Sequence, residues 1–318
     1  MISTTEQQLE LYMSLFRGRT DVYARRWEKD GRSGYSPAYE FNWDEFMAHK
    51  RCGGSMKDFE NKKLIPLTKE VVKKHLLGQH VVGIYPILPE NTSYFIAADF
   101  DGESWLADSK AFIVACTEAG LSAYLERSRS GNGGHVWIFF SESYPCYKSR
   151  QIALELIRKA FHVSEFEKEV SFDRLFPNQD TLTGAGFGNL IALPLQGRSV
   201  SVNNSMFIDP MTSKSFLDQW QFLNSAKRHT IAELDSAHKL LFEDTGKPTA
   251  NIPAGGGLGI LVSNQIDLRR SELTPGLIHF LKEELNFLNT EYLTKRRLGK
   301  SIYKVQKYFK LIDETGDT

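Results

Sequence analysis

FIAADFDG, residues 95–102, runs four apolar residues into two carboxylates. Phe95, Ile96, Ala97 and Ala98 read as a buried strand. Residues i and i+2 of a strand share a face, so Asp99 and Asp101 stand side by side, about 7 Å apart along the chain. Two like charges that close are costly unless something positive lies between them. Hard cations such as Mg²⁺ or Mn²⁺ prefer oxygen ligands, and paired carboxylates hold them for phosphoryl chemistry. The plainer alternative is a solvated strand end, with Asp108 helping to cap the helix that follows.

Outward from this strand the pattern is regular. DSKAFIVACTEAGL repeats apolar residues at helical spacing and stops at Gly120. SAYLERS and HVWIFF read as strands joined by the hairpin link RSGNGG. Then come the helix YKSRQIALELIRKAF and the strands VSFDRLF and NLIALPL. The order β-α-β-β-α-β-β predicts an α+β fold, with an RRM-like βαββαβ sheet and helices on one face. Upstream, TEQQLELYMSLF predicts a short helix and DVYARRW a strand. Residues 39–63 read as irregular, and PLTKEVVKKHLLGQH as a helix capped by Thr68 and stopped at Gly78. Four regions follow: an N-terminal α/β part (1–92), the core (93–245), a Gly/Pro linker (246–258) and a helical C-terminal region (259–318), strongest at LTPGLIHFLKEELNFLN.

The hairpin adds chemistry to the carboxylates. ERSRSGNGGHVWIFF gathers Arg127, Arg129, Ser130, Gly131, Gly133, Gly134 and His135. Glycine backbone approaches phosphate oxygens closely, and the cationic and hydroxyl side chains add donors. Each feature alone reads as an ordinary turn or a structural histidine; their conjunction after Asp99 points to an anion site. A third carboxylate is expected from FDRLFPNQD, with Asp173 preferred and Asp180 in reserve. Gln196 and Arg198 end the next strand, and Arg198 is a candidate triphosphate contact.

AADFD, ERSRSGNGGHVWIFF and DRLFPNQDT…GFGNLIALPLQGR together resemble the archaeo-eukaryotic primase superfamily, and more narrowly the primase-polymerases of TOTE conflict systems and their CRISPR-associated relatives. DVYARRW, GYSPA, HVVGIYPILP and FLNTEYLTKRRLGKS extend the resemblance over most of the chain. It implies a catalytic core of that type in which Asp99, Asp101, Asp173 and His135 are catalytic. The three aspartates would hold two Mg²⁺ or Mn²⁺ ions between the nucleotide's triphosphate and a 3′-hydroxyl. It implies a nucleotidyltransferase working on a single-stranded DNA template with NTPs or dNTPs. Relatives carry cysteines after GYSPA that suit zinc; here only Cys52 remains, so no zinc is expected. Relatives also continue into a helicase. These 318 residues hold no Walker motif, which reads either as a stand-alone enzyme or as a domain of a longer system.

Composition sets the outer limits. Lys plus Arg and Asp plus Glu number 39 each, so a nucleic-acid surface must be a local patch. Residues 290–310 offer seven Lys/Arg against one Glu with Tyr and Phe interleaved, which nominates Lys295, Arg296 and Arg297. Arg25 and Arg26 are a second candidate. A solvated helix with an apolar stripe is the plainer reading of the first patch. Cys52, Cys116 and Cys146 have no disulfide or metal spacing. With no long apolar run or signal pattern, a cytoplasmic protein without a membrane partner is expected. Two other functions compete: a two-metal nuclease, which needs no triphosphate cradle, and a non-catalytic RRM-type binding module, which needs exposed aromatics on its central strands.

Overall fold

The computed structural model describes residues 4–161, 171–182 and 186–243, with four short strands beyond them. It divides into two compact units, Met1–Phe242 and Glu243–Thr318. The first begins with α1 (Glu6–Leu15), β1 (Ala24–Lys29), β2 (Arg32–Pro37), β3 (Tyr39–Phe41), α2 (Trp43–Arg51), β4 (Lys62–Leu64), α3 (Lys69–Leu76) and β5 (Val82–Ile84). The core follows: β6 (Thr92–Asp101), α4 (Trp105–Glu118), β7 (Tyr124–Arg127), β8 (Gly133–Pro145), α5 (Cys146–Phe161) and β9 (Phe172–Phe176). It closes with β10 (Ile191–Ala192), α6 (Gly197–Val200), β11 (Met206–Phe207), α7 (Gln219–Ser225), β12 (Arg228–His229) and α8 (Ile231–Glu243).

The core sheet runs β11-β7-β8-β6-β9, with β12 parallel to β8. Its β7-β8-β6-β9 heart is the RRM-like order expected of βαββαβ. Strand alternation divides it into two faces. Ile96, Ala98 and Phe100 of β6 and Val136, Ile138 and Phe140 of β8 pack against α4, α5 and α8. Phe95, Ala97, Trp137 and Phe139 point the other way, into a second core built with α1, α3, β5 and β10. Phe16, the C-cap of α1, meets Trp137 and Phe139 edge-on, with ring centroids 5.1 and 5.4 Å away. The core strands are therefore covered on both faces.

Local signals explain the helices. Thr5 and Gln8 form a capping box on α1, and Thr68 caps α3 through the Val71 N–H. Gly78 and Gly120 adopt positive φ just beyond α3 and α4. Three readings change. NLIALPL does form a strand, β10, but it pairs with β5 in the N-terminal sheet β10-β5-β1-β2 rather than in the core sheet. Asp108 lies inside α4 and caps nothing; its carboxylate accepts from Ser104 Oγ and from the N–H and Oγ of Ser171 just before β9. Residues 39–63 contain regular structure: β3 pairs with β4, and α2 is capped by Asn42, with Asp44 and Glu45 in its first turn and basic residues in its last. Phe41, Trp43, Phe46 and Phe59 cluster beside it, and the Lys62 ammonium donates to the carbonyls of Met56, Lys57 and Phe59.

In the second unit, Ile260–Val262 and Ile266–Leu268 form one two-stranded ladder, and Asn286–Leu288 and Tyr308–Lys310 another. Where residues of the expected helical region are described they are strands: Asn-Phe-Leu and Tyr-Phe-Lys carry aromatic side chains that favour a pleated surface. The rest of that region, including Lys295, Arg296 and Arg297, and the expected linker lie outside the described residues. Among the described residues no helix is long and apolar enough to cross a membrane.

One buried histidine ties the N-terminal layer together. His75 Nδ1 accepts the Val82 N–H of β5, and its Nε2–H donates to the Pro194 carbonyl beyond β10. Tyr12 of α1 donates to the same carbonyl. Burial pushes His75 down to about 4. The unfolded chain then binds a proton that the folded chain refuses, so this stability is present above about pH 6.5 and is lost as pH falls toward 4. The size is ~3 kcal/mol across that window. Urea midpoints from pH 7.5 to 4 should show it: His75→Gln is expected to lower stability at pH 7.5 and to flatten the acid limb. An unchanged acid slope in the variant would remove His75 as its source.

Candidate active site

Asp99 stands near the end of β6, in the centre of the core sheet. Its neighbour on β8 is His135, whose other neighbour, on β7, is Glu126. Glu126, His135 and Asp99 thus form one row across three strands. His135 Nδ1 lies 2.9 Å from Glu126 Oε2, and Nε2 lies 3.6 Å from Asp99 Oδ1. Trp137 Nε1–H donates to the same Glu126 oxygen at 3.0 Å. Glu126 carries a buried charge that sequence reasoning passed over. The alternation of Tyr-Leu-Glu-Arg only says that Glu126 opposes Leu125; which side is buried emerges from pairing with β8.

The third carboxylate comes from β9 by a local irregularity. Asp99 opposes Arg174, but Phe100 opposes Phe172, so Asp173 is the extra residue of a β-bulge. Phe172 and Leu175 both pack on the helix side although they are three apart, which unbroken alternation forbids. The bulge carries Asp173 to the face of Asp99. Ligand oxygens of Asp99, Asp101 and Asp173 come within 4.8 Å of one another. Asp180, the reserve, is engaged elsewhere, accepting from Arg150 Nε on α5 at 2.6 Å.

The electrostatics follow from the crowding. Burial pushes Asp99 up to about 6; Asp101 and Asp173 push the same way and His135 opposes them. Burial alone would lower His135, but Glu126, Asp99 and Asp101 outweigh it and hold the imidazole up at about 9. Three oxygen donors with mutual repulsion at one spot form a set that a hard divalent cation fits.

The other sequence candidates fall into place around this centre. Gly133 pairs with Asp101, and a Cβ there would sit 2.6 Å from the Phe100 carbonyl and collide with the Asp101 carboxylate, so glycine makes room for the carboxylate. Gly134 is packed beneath Trp105, and Gly131 turns the chain at a φ of +82°. Arg127 donates to the carbonyls of Asn203 and Ser213, which ties β7 to the later loops. Arg129 stands beside the Tyr35 hydroxyl of β2. Ser130 is exposed at the tip, its Oγ 3.0 Å from that of Ser128. Arg198 is exposed on α6 beside Gly78, while Gln196 caps that helix through the Ser199 N–H. Arg25 is exposed on β1, and Arg26 pairs with Glu28 at 2.8 Å. Trp137 and Phe139 are fully buried, so the core sheet lacks the open aromatic face that an RRM-type binding module needs.

Comparison with known proteins agrees with the sequence motifs. No curated protein sequence matches the chain. Among solved structures, the polymerase domain of Mycobacterium tuberculosis ligase D in complex with DNA is similar at 13% identity, over 74% of this chain and 85% of that one, with a TM-score of 0.36. The family description "TOTE conflict system, Archaeo-Eukaryotic Primase domain" matches residues 7–237, a span that takes in α1, the three clustered aspartates, the hairpin and most of α8. With most of its length inside that match, the chain belongs to the archaeo-eukaryotic primase domain family of TOTE conflict systems.

Proposed function

We propose that the chain is a DNA primase-polymerase, a template-dependent nucleotidyltransferase that makes or extends primers on single-stranded DNA. The observation that carries this reading is the meeting of Asp99, Asp101 and Asp173 within 4.8 Å, beside His135. A nuclease could use the carboxylates alone. It has no use for the glycine hairpin that sets Gly133 opposite Asp101 and His135 beside Asp99, whereas a triphosphate needs such donors.

Asp99, Asp101 and Asp173 would hold Mg²⁺ or Mn²⁺, which supplies charge neutralisation for the triphosphate oxygens and for the attacking 3′-hydroxyl. The chain's own groups do the rest. His135 offers Nε2 on the cluster side of its ring to the β- and γ-phosphates. Arg129, Ser130 and the backbone of Gly131–Gly134 are the further donors we assign to the phosphates, Arg127 fixes β7 against the later loops, and Arg198 is the further candidate contact. Arg25 and Arg26 on β1, with Lys295, Arg296 and Arg297, are the groups we assign to the template backbone. Burial on both faces of the core sheet keeps bulk water away from one side of the cluster, which strengthens each charge interaction there.

The reading is tested by incubating the full chain with single-stranded DNA, nucleotides and Mg²⁺ or Mn²⁺, with and without a primer. Asp99→Asn, Asp101→Asn and Asp173→Asn are each expected to cut synthesis on the order of 10²–10³-fold or more. Asp99→Asn should keep or gain thermal stability without metal, because it removes a carboxylate that burial makes reluctant to ionise. Mn²⁺ should raise the melting temperature of the natural chain and not of Asp99→Asn; at a hundred times Kd the gain is about 2.7 kcal/mol. Full synthesis by any of the three variants would take that carboxylate out of the mechanism.

His135→Ala is expected to raise KM for nucleotide more than it lowers kcat, which steady-state kinetics at fixed primer-template would resolve. An unchanged KM would remove the phosphate role. Neutralising Lys295, Arg296 and Arg297 together should lower the slope of log K against log salt for a single strand by about 2. An unaltered slope would place the template elsewhere.

A further inference from the structure

We infer that Glu126 is the positioning residue for His135: its buried carboxylate takes the Nδ1–H of the ring and so presents Nε2 to the nucleotide. The inference deepens the proposed function and rests on the nucleotide role assigned there to His135.

The geometry is specific. Glu126 and His135 are direct partners in the β7–β8 ladder, so the backbone brings the two side chains together on one face. The Glu126 side chain is 2% exposed. A charge so placed is costly unless it is matched, and among the described residues its ion pair is with His135. The oxygen that faces His135 also accepts the indole N–H of Trp137, which is fully buried. Trp137 is held edge-on by Phe16, and His135 itself meets Trp137 edge-on at 6.1 Å. The carboxylate is thus fixed by the core and cannot swing away from the ring. The indole and Nδ1 meet the same oxygen, Oε2, so one acceptor fixed by the buried indole also holds the imidazole. With Nδ1 held, the ring has a single free edge, and Nε2 on that edge faces the carboxylate cluster from 3.6 Å. An imidazole released from Glu126 could rotate about χ2 and exchange its two nitrogens.

Glu126→Leu removes the acceptor, and Glu126→Gln keeps one whose amide oxygen can still take both N–H groups. Both are checked first for a folded chain by circular dichroism and thermal melting. ¹⁵N-resolved histidine spectra of the full chain, without nucleotide or metal and at a pH above about 9, where the ring is neutral, read which ring nitrogen carries the proton. The expected result is a protonated Nδ1 in the natural chain and in Glu126→Gln, and loss of that signature in Glu126→Leu. If Glu126→Leu fails to fold, comparing the natural chain with Glu126→Gln still reads the Nδ1 proton and its partner. Steady-state kinetics supply the second arm. Glu126→Leu should raise KM for nucleotide about tenfold or more, with Glu126→Gln recovering most of it. In a His135→Ala background the same change should add less than about a twofold effect, because Glu126 acts through the ring. A natural chain whose Nδ1 carries no proton, or a Glu126→Leu penalty as large without His135 as with it, would overturn the inference. Absence of any synthesis by the natural chain would instead sink the primase-polymerase reading and the nucleotide role of His135, while the nitrogen spectra would still decide whether Glu126 sets the ring.

Discussion

His135 meets Asp99 across one strand boundary and Glu126 across the other, and both contacts exist because β8 is in register with β6 from Phe95 to Asp101 and with β7 from Tyr124 to Arg127. A slip of one residue would turn every side chain of β8 to the opposite face. His135 would then lie among the helices and Val136 among the carboxylates. What forbids the slip is the pair of cores. Trp137 and Phe139 fill the cavity under α1, and Val136, Ile138 and Phe140 fill the one under α4 and α5. The chemical row is therefore held in place by the hydrophobic alternation on either side of it. Gly133 adds a steric constraint, since a Cβ there would meet the Asp101 carboxylate that must lie over it.

That row crowds acidic groups together. Glu126, Asp99, Asp101 and Asp173 bring four carboxylates to a region where His135 is the ion partner of two of them. Arg174 is drawn to Asp173 at 2.6 Å, on the exposed flank. Burial first, and then the neighbouring Asp101 and Asp173, raise Asp99 to about 6, a reluctance to ionise. Such a set persists where the surrounding fold over-determines it, and its crowded carboxylate oxygens are donors that a hard divalent cation fits. The bulge at Asp173 belongs to the same economy: it disturbs a ladder in order to bring one more oxygen to the centre.

The parts legible in the sequence were those carried by local signals. Asp99 and Asp101 share a face because strands alternate. The hairpin is marked by RSGNGG, α3 by its Thr68 cap and Gly78 stop, and α4 by its apolar spacing and the Gly120 stop. What stayed hidden depended on pairing across distance. FDRLFPNQD favoured Asp173 and kept Asp180 in reserve, but the reason for the choice, a bulge against β6 and Arg150 beside Asp180, is visible only in the pairing. Glu126 looks like any polar strand residue until β8 buries it. β10 is apolar enough for either sheet, and only its ladder with β5 assigns it. α2 did carry a cap and favourable end charges, but it buries no residue, so the apolar stripe that marks most helices is missing.

A βαββαβ sheet alone would leave the Asp99 face open, as in a module that binds nucleic acid on its strands. Here the N-terminal layer closes that face over Phe95, Ala97, Trp137 and Phe139, and leaves only the strand ends exposed. The layer also reaches the hairpin itself. Tyr35 of β2 opposes Arg26 of β1, and Arg129 stands beside its hydroxyl; burial raises Tyr35 while the two arginines ease that rise. The hairpin tip is thus braced from the N-terminal sheet on one side and, through Arg127, from the loops carrying Asn203 and Ser213 on the other. β10, drawn from far down the chain, completes the N-terminal sheet and locks it to the core, while His75 ties β5 and the Pro194 loop to α3. The N-terminal residues are therefore part of the site's architecture. They confine the approach to the carboxylates to the end of the sheet where β6 stops, and they hold the donors of the hairpin at that opening.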